Sequence, residues 1–392
     1  MYKIFQRPAI GLDKLLRSAR VASVYAILTA LLAGALITSL FVGRYAIDPL
    51  TVVVILAAKA LDVIIWLLGM PAALFAPYAH ALSPVTEYVA GALGGLATIL
   101  HPIEHTWPLA MDTVMWQIRF PRSLAVILVG SGLVASGVTF QGTFRNPLVS
   151  ENILGVSSGA SVGACIGILL GEAPLVIQIL AFGFGMLAVG LTYFISRAYR
   201  SNPKLVMVLS GIIVASLFTA VSSILKYVAD PYMRLPAMVF WVMGSFANVS
   251  WDNIIVALPF ILVPMGILLL IRWRLNILSM GEEEARVLGL DTKKYRLLVI
   301  VCATLMTAAA VSVAGVIAWI GLIVPHIGRM IVGPDHKLLL PASLLIGASF
   351  MLVVDTICRN LTSVEIPVSI ITSVLGAPIF MYLLYKSKET WT

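Results

Sequence analysis

The sequence predicts an all-α integral membrane protein with about ten spanning helices. Of the 392 residues, 60% are hydrophobic and 11% are charged, whereas a soluble globular domain carries about 25% charged residues. The apolar residues gather in runs close to the roughly 20 residues that a helix needs to cross about 30 Å of hydrocarbon. These runs lack the alternating pattern of a membrane β-barrel, so the spans are predicted to be helical.

Ten apolar runs separated by polar breaks make up the predicted bundle. Several contain proline or glycine, for example Pro325, Pro341, Gly376 and Pro378. Such breaks are tolerated at membrane depth where protein or a cavity satisfies the freed backbone groups. We therefore expect interrupted helices within the bundle. The runs lie near residues 20–43, 123–141, 154–170, 174–196, 205–228, 253–271, 297–317, 318–332, 338–357 and 366–385.

The distribution of basic residues predicts the orientation of the chain. Ten crossings that start in the cytoplasm return the C-terminus there, and this arrangement places 19 of the 26 Lys and Arg residues in cytoplasmic segments. Cytoplasmic loops carry such an excess of positive charge, so the net charge of +8 does not indicate nucleic-acid binding. The seven basic residues on the predicted outer side are Arg44, Lys59, Arg119, Arg122, Lys226, Arg234 and Arg359.

Residues 58–107 form a long and mostly apolar insert on the predicted outer side. The insert consists either of interfacial helices or of a hairpin of two extra spans, and the topology downstream is the same in both cases. Its proline, glycine and short apolar runs favour interfacial helices. His80, His101 and His105 match no metal-ligand spacing, so no metal site is predicted.

Three arginines lie on the predicted outer side, where basic residues are otherwise few. Arg119 and Arg122 precede the second apolar run, and Arg359 follows the ninth. These side chains could reach lipid headgroups from the helix ends. Alternatively, they form a docking surface for an acidic partner, because arginine binds carboxylates through paired hydrogen bonds. The residues alone leave both interpretations open.

Small residues at helical spacing follow Arg122 in the second run. Gly132 with Ser136, and Ser131 with Ala135, form small-xxx-small pairs. Because lipid gives no hydrophobic drive for helix association, membrane helices associate where small residues let their backbones approach. Close helix packing is therefore predicted here. A substrate path beside this face is compatible with the pattern.

The most informative cytoplasmic segment is residues 272–296, which contains SMGEEEARVLGLDTKKY. Three acidic residues after Gly281 favour the start of a short helix, because a helix N-terminus attracts negative charge. Gly289 ends this helix, and Asp291 can cap a second short helix through Tyr295. Two short helices exceed the length of an ordinary loop of about 4–6 residues, so we expect a surface for a cytoplasmic partner.

Several chemical signatures are absent from the sequence. It contains no GxxxxGK[ST] phosphate-binding loop and no HExxH, so any ATP site belongs to another chain. Intramembrane acids are scarce, with Asp355 and Glu365 as the main candidates, and Glu365 is expected at the outer surface. Two other classes stay open: an ion-coupled secondary carrier, and an intramembrane serine protease built on Ser157 or Ser158 with His326.

The stretch WQIRFPRSLAVILVGSGLVASGVTFQGTFRNPLVSENILGVSSGAS resembles the signature of FecCD-type permeases, the membrane subunits of type II ATP-binding-cassette (ABC) importers. The signature runs R-x-P-R, then G…SG…Q…NPL…LG…GA, and all its elements are present in order. Three further matches are LSMGEEEARVLGLD, AGVIAWIGLIVPHIGRMIVGPDHKLLLPAS and EIPVSIITSVLGAPIFMYLL. The resemblance covers about residues 1–57 and 108–392, and the insert departs from the usual short outer loop.

The resemblance implies a ten-helix permease in the inner membrane of a prokaryotic cell, with both termini in the cytoplasm. It implies a homodimer that works with two ATPase subunits and an extracytoplasmic substrate-binding protein. This chain would bind no cofactor and catalyse no reaction, because ATP and Mg²⁺ would be bound by the ATPase partner. The expected cargo is an iron–siderophore, haem or cobalamin-type chelate, and occasionally an oxyanion.

The resemblance also assigns residues to roles. Arg119, Arg122 and Arg359 would dock the binding protein, and Ser201 with Asn202 would form a cytoplasmic gate. Helix packing and the transport pathway would involve Gly132, Ser136, Gly137, Gln141, Asn146 and Pro147. Coupling to the ATPase would involve Gly281, Glu282, Glu283, Glu284, Ala285, Arg286, Leu288, Gly289, Leu290 and Asp291.

Overall fold

The computed structural model describes residues 9–60, 107–198 and 203–388, and these are largely helical. No β-strand occurs within those ranges, so the predicted all-α class is confirmed. In chain order the helices are α1 (Ala9–Phe41), α2 (Pro49–Ala60), α3 (Leu109–Phe144), α4 (Val156–Leu170), α5 (Pro174–Ala198), α6 (Pro203–Val228), α7 (Arg234–Met243), α8 (Trp251–Met280), α9 (Glu282–Val287), α10 (Thr292–Ala314), α11 (Ile320–Val332), α12 (His336–Asn360) and α13 (Val368–Lys388).

Seven helices in the described ranges are long and apolar enough to cross a membrane, namely α1, α3, α5, α6, α8, α10 and α12. Each of the ten predicted runs coincides with one helix, but α4, α11 and α13 are shorter than the others. At 1.5 Å per residue, the 13 residues of α11 extend only about 20 Å. The chain on either side of a short helix must therefore provide the rest of the crossing.

Two helices were not predicted from the sequence. The first, α7, has ten residues, and the Asp230 carboxylate accepts a 2.6 Å hydrogen bond from the Met233 amide just before it. The second, α2, overlaps the start of the insert, while residues 61–106 lie outside the described part of the chain. The choice between interfacial helices and a hairpin for the insert therefore stays a prediction.

The chain divides into two compact units, one formed by Met1–Ser39 with Pro121–Thr392 and the other by Leu40–Phe120. In the first unit, Leu133, Met306 and Leu352 belong to one buried apolar cluster. In the second unit, Val52 and Ile55 are fully buried. The first unit holds most of the predicted functional residues.

The small residues of α3 allow three other helices to approach closely. Gly132 faces Ile261 of α8, and the Ser136 hydroxyl donates a 2.9 Å hydrogen bond to the Ala303 carbonyl of α10. Gly137 lies directly against the backbone carbonyl of Gly321 in α11, where a methyl group would overlap it. Close packing at this face, as predicted from the sequence, is confirmed for these residues.

Two irregular segments interrupt the helices of this unit. One is residues 315–319 between α10 and α11, where Gly315 and Trp319 both have positive φ (71° and 73°). The other, which we call the re-entrant loop, is residues 145–155 between α3 and α4. Its residues Val149, Glu151 and Leu154 are at most 2% exposed, so the second part of this loop lies inside the protein.

Candidate functional site

A buried ionic cluster joins α3, α12 and the segment before α13. The Arg122 guanidinium donates to Asp355 (Nη2 to Oδ1, 2.7 Å) and to Glu365 (Nη1 to Oε2, 3.1 Å). Arg359 completes this cluster, with its Nε 3.4 Å from Asp355 Oδ2. Asp355 is fully buried, and Arg122 and Arg359 are 7% and 8% exposed. The charges of two positive and two negative side chains therefore balance in this desolvated site. Such pairing offsets part of the cost of removing charged groups from water.

Arg359 also fixes the end of α1 against α12. Its Nη2 donates to the Ser39 carbonyl at 2.6 Å and to the Ser39 hydroxyl at 2.9 Å. The Ser39 and Ser123 hydroxyls lie 2.9 Å apart. Ser39 thus links two elements of the cluster. It is a contact that the sequence pattern did not indicate, because a serine inside an apolar run carries no specific signal.

Arg119 belongs to the other compact unit and makes contacts of a different kind. Its guanidinium donates to the backbone carbonyls of Leu40 (2.7 Å), Phe41 (3.2 Å) and Tyr45 (2.5 Å). Leu40 and Phe41 are the last two residues of α1, and Tyr45 follows the helix. The last carbonyl groups of a helix have no partner within the helix, so Arg119 supplies donors there. A methyl group at Gly43 would lie 2.6 Å from Arg119 Nη2, so Gly43 leaves room for this side chain.

The structure therefore turns the three arginines predicted for docking towards the inside of the chain. Their charged groups are held by carboxylates, a serine and backbone carbonyls rather than presented on an open face. Glu365, which was expected at the outer surface, is instead 16% exposed and paired with Arg122. The docking role stays a prediction, and these contacts add a structural role that sequence reasoning missed.

The predicted coupling segment contains one short helix, α9, that directly follows α8. Gly281 precedes it with φ 152°, and the Glu282 carboxylate pairs with Arg286 (3.4 Å) and Arg296 (3.0 Å). Ala285 is fully buried and Leu290 is 7% exposed, so they anchor the segment. Val287 and Leu288 are 87% and 57% exposed. The segment thus carries two apolar side chains on its surface, and Val287 was absent from the predicted residues.

The prediction of a second short helix after Asp291 is wrong. Asp291 does act as a cap, and its carboxylate accepts from the Lys294 amide at 3.2 Å. The helix that it caps is α10, which continues without interruption to Ala314. The pKa of Asp291 lies below its usual value because of this backbone hydrogen bond. The cap therefore starts a spanning helix, because the apolar run follows within two turns.

A polar junction near this segment connects α8 with the turn between α11 and α12. The Asn276 side chain donates to Asp335 at 2.6 Å and accepts from the His336 amide at 2.8 Å. Burial acts to raise the pKa of Asp335, but hydrogen bonds from the Lys337 amide and from Asn276 hold it below its usual value. The junction lies four residues before the last residue of α8, and therefore close to α9 along the chain.

The packing and pathway candidates fall into two groups. Gln141 donates to the carbonyls of Gly321 (3.2 Å) and Leu322 (3.3 Å) and accepts from Arg329 at 2.5 Å. With Gly132, Ser136 and Gly137 it fastens α3 to its neighbours. The other group, Asn146 and Pro147, is exposed at the start of the re-entrant loop. The predicted gate residues Ser201 and Asn202 lie outside the described residues.

A cavity of about 490 Å³ lies among α4, α5, α7, α8 and α10. Gln178 and Asn253 form part of its wall and are joined by two hydrogen bonds. The Gln178 side chain donates to the Asn253 backbone carbonyl at 3.0 Å, and the Asn253 side chain donates to the Gln178 side-chain oxygen at 2.7 Å. Neutral amide and hydroxyl groups provide its polar lining.

The two serines considered for a protease donate hydrogen bonds to groups other than a histidine. The Ser157 hydroxyl donates to the Asn152 side chain, and the Ser158 hydroxyl donates to the Gly155 carbonyl. The structure therefore gives no support to a serine–histidine pair.

Comparisons with known proteins agree with this architecture. The model of the FecCD transport family matches residues 88–386. The chain is 43% identical to the molybdate import system permease protein of Haemophilus influenzae over 70% of this chain and 82% of that protein. It is 40% identical to the cobalamin import permease of Halobacterium salinarum (72% and 76% covered) and 36% identical to the hemin transport permease of Yersinia pestis (72% and 87% covered).

A solved structure shows the same fold. It is an inward-facing ABC transporter described as of the metal-chelate type, and it is 34% identical with a TM-score of 0.74 over 93% of this chain and 99% of that chain. The sequence match and the structural match thus point to the same class of protein, multi-pass permease subunits of ABC transporters. The chain belongs to the FecCD transport family.

Proposed function

We propose that this chain is the membrane subunit of an ATP-driven importer for a metal-containing solute. The cargo classes are an iron–siderophore, haem or cobalamin-type chelate, or an oxyanion. Named relatives import molybdate, cobalamin and hemin, which supports this range. The sequence contains no phosphate-binding loop, so the energy must come from a partner ATPase that binds ATP and Mg²⁺.

The observation that carries the proposal is the surface of α9. This six-residue helix lies between two spanning helices and ends at Val287, which is 87% exposed; Leu288, directly after it, is 57% exposed. These apolar side chains lie outside the spanning helices, and burial of them against a partner would remove apolar surface from water. The buried Ala285 and Leu290 would hold this surface against α8 and α10. Motion of an ATPase bound there would therefore be transmitted to these spans.

We further propose that the permease works as a homodimer in a prokaryotic inner membrane, with α9 and both termini in the cytoplasm. The charge distribution supports this orientation. The pathway would run between the two subunits and open alternately to either side. A binding protein would deliver the cargo to the outer end, where Arg119, Arg122 and Arg359 are predicted to receive acidic residues.

The exposed apolar residue of α9 gives a direct test. We expect Val287→Asp to abolish co-purification of the permease with its ATPase, because a charge replaces the apolar contact. Val364→Asp is the matched control, since Val364 is 74% exposed in the loop between α12 and α13. Equal recovery of the ATPase with both variants would contradict a contact through α9.

The rival function, an ion-coupled carrier, makes the opposite prediction. Vesicles that contain only this permease would then accumulate cargo when an ion gradient is imposed. The importer proposal requires the ATPase and ATP for the same uptake. Uptake that is insensitive to removal of the ATPase would reject the importer.

A further inference from the structure

Glu151 is a buried carboxyl group that the proposed function does not use. Its side chain has no exposed surface, and it lies in the re-entrant loop. Among the described residues, its Oε2 atom has no hydrogen-bond partner. A buried polar atom without a partner destabilises the fold, and a charged group does so more strongly. The site therefore calls for a ligand or for a change in protonation.

The surroundings of Glu151 are two interrupted helices. The 15 residues of α4 extend about 22 Å, so the re-entrant loop supplies the rest of that crossing. It packs on α5 through a 3.0 Å hydrogen bond from Thr192 to the Leu154 carbonyl, and on α6 at Gly211. In secondary transporters, discontinuous helices that meet inside the protein bind the coupling ions and protons, and the same kind of local structure occurs here.

The carboxyl group faces the N-terminal end of α11. A methyl group added at Gly321 would overlap Glu151 Oε2 and would lie 2.9 Å from the Leu133 carbonyl oxygen. The Gly321 backbone amide and the Asn152 side-chain amide (3.4 Å to Oε1) are the nearby donors. The Leu133 carbonyl borders the same space as Oε2. It is the acceptor that a protonated Oε2 would need.

No described residue forms an ion pair with Glu151. His326 and Arg329 are five and eight residues beyond Gly321, which places them about 8 and 12 Å further along α11. Arg145 is exposed at the other end of the loop. The other charged side chains on the packed helices α5 and α6 are near helix ends, at Arg197, Lys204 and Lys226.

A proton fits this site better than a metal ion does. Calcium takes six to eight oxygen ligands and magnesium takes six, whereas one carboxyl group and one neighbouring carbonyl are present here. The described part of the chain also contains no group of three His, Cys, Asp or Glu residues that could hold a metal. Burial without a counter-ion favours the neutral form of a carboxyl group.

We propose that Glu151 is a proton-binding site, at which the neutral acid holds the re-entrant loop against the N-terminus of α11. The proton on Oε2 is directed to the Leu133 carbonyl, and Oε1 accepts from the Asn152 side-chain amide. Loss of this proton leaves a charge without a counter-ion between the loop and α11. The packing of these two interrupted elements therefore depends on the proton.

Infrared spectroscopy of the full-length permease in lipid nanodiscs tests the proposal without measuring transport. Near neutral pH, the spectrum of the parent minus that of Glu151→Gln should show the carbonyl band of a protonated carboxylic acid. Glu172→Gln, at an exposed position, should remove no such band. Because glutamine imitates the neutral acid, Glu151→Gln should also melt within about 2 °C of the parent.

Absence of the band from the parent would overturn the proposal. A fall in melting temperature of more than about 4 °C for Glu151→Gln, together with an absent band, would identify an ionised carboxylate that caps α11. Glu151→Asp provides a second variant if the glutamine protein does not fold. It should shift the band, and an unchanged band in that variant would assign the signal to another residue and reject the site.

Discussion

Arg122 on α3 and Asp355 on α12 form a buried ion pair, with Nη2 2.7 Å from Oδ1 and Nε 3.0 Å from the same oxygen. The two residues are 233 positions apart in the chain. Arg359 and Glu365 complete the charge balance around them. Because every charge in this cluster is desolvated, removal of one member leaves another without compensation. The cluster is thus a stabilising element for the end of the bundle that carries the R-x-P-R motif.

The first prediction concerns the stability of this cluster. We expect Asp355→Asn to lower the free energy of unfolding by about 3–5 kcal/mol. The reason is that Glu365 would then be the one carboxylate left in the cluster to balance the charges of Arg122 and Arg359. The measurement is thermal unfolding in detergent. Asp252→Asn, at an exposed position, is the control and should change little. Equal melting of parent and Asp355→Asn would show that the cluster does not stabilise the fold.

The second prediction separates docking from stability. The double variant Arg122→Met with Glu365→Met removes one charge of each sign and leaves Arg359 beside Asp355, so it should remain folded. If Arg122 receives an acidic residue of the binding protein, this variant should lose stimulation of ATPase activity by the loaded binding protein. Basal hydrolysis should persist. Full stimulation in a folded double variant would reject the docking role of Arg122.

The third prediction compares two identical substitutions on different helices. Gly137→Ala places a methyl group against the Gly321 carbonyl, and overpacking of this kind costs about 1–3 kcal/mol. Gly190 on α5 has nothing within 4 Å of the added methyl, so Gly190→Ala should stabilise its helix by about 0.5–1 kcal/mol. Melting temperatures should therefore move in opposite directions. A shift of the same sign in both proteins would contradict the close contact at Gly137.

The fourth prediction concerns pH and the junction at Asp335. The pKa of Asp335 in the folded protein lies below its usual value of 3.8, so the ionised form is favoured by folding. Its contribution is therefore present above about pH 4 and lost as pH falls through the lower folded pKa. The difference in melting temperature between parent and Asp335→Ala should be constant near neutral pH and shrink in acid. A difference that grows in acid would contradict the assigned contacts.

Sequence patterns located the spans because apolar runs and their breaks are local properties. All ten runs coincide with helices, and the break predicted near residue 317 appears between Ala314 and Ile320. The cap at Asp291 was predicted for the same reason. The length of the helix that Asp291 caps was not predicted, because the short polar segment after Asp291 continues without a break into the apolar run of α10. Likewise, α7 was missed because a ten-residue segment is too short to indicate a span.

The candidate sites required distant residues to be brought together. In the sequence, Arg122 and Arg359 read as isolated charges at helix ends, Asp355 reads as a single acid within a span, and no pattern marks Glu151. The packing of α3 against α11 and α12 brings Arg122, Asp355 and Arg359 together, and with Glu365 their charges balance. The same packing shows that Glu151 is enclosed. Its burial depends on Gly137 and Gly321, which let the backbones of α3 and α11 touch.

The sequence by itself determined the membrane class, the family and the helical segments, because composition, periodicity and motif order are carried by neighbouring residues. The tertiary structure decided which charges are paired, which carboxyl group is left without a counter-ion and which apolar residues of α9 meet water. The physical reason is that desolvation and hydrogen bonding depend on what surrounds a side chain. In a folded chain, those surroundings come mostly from other helices.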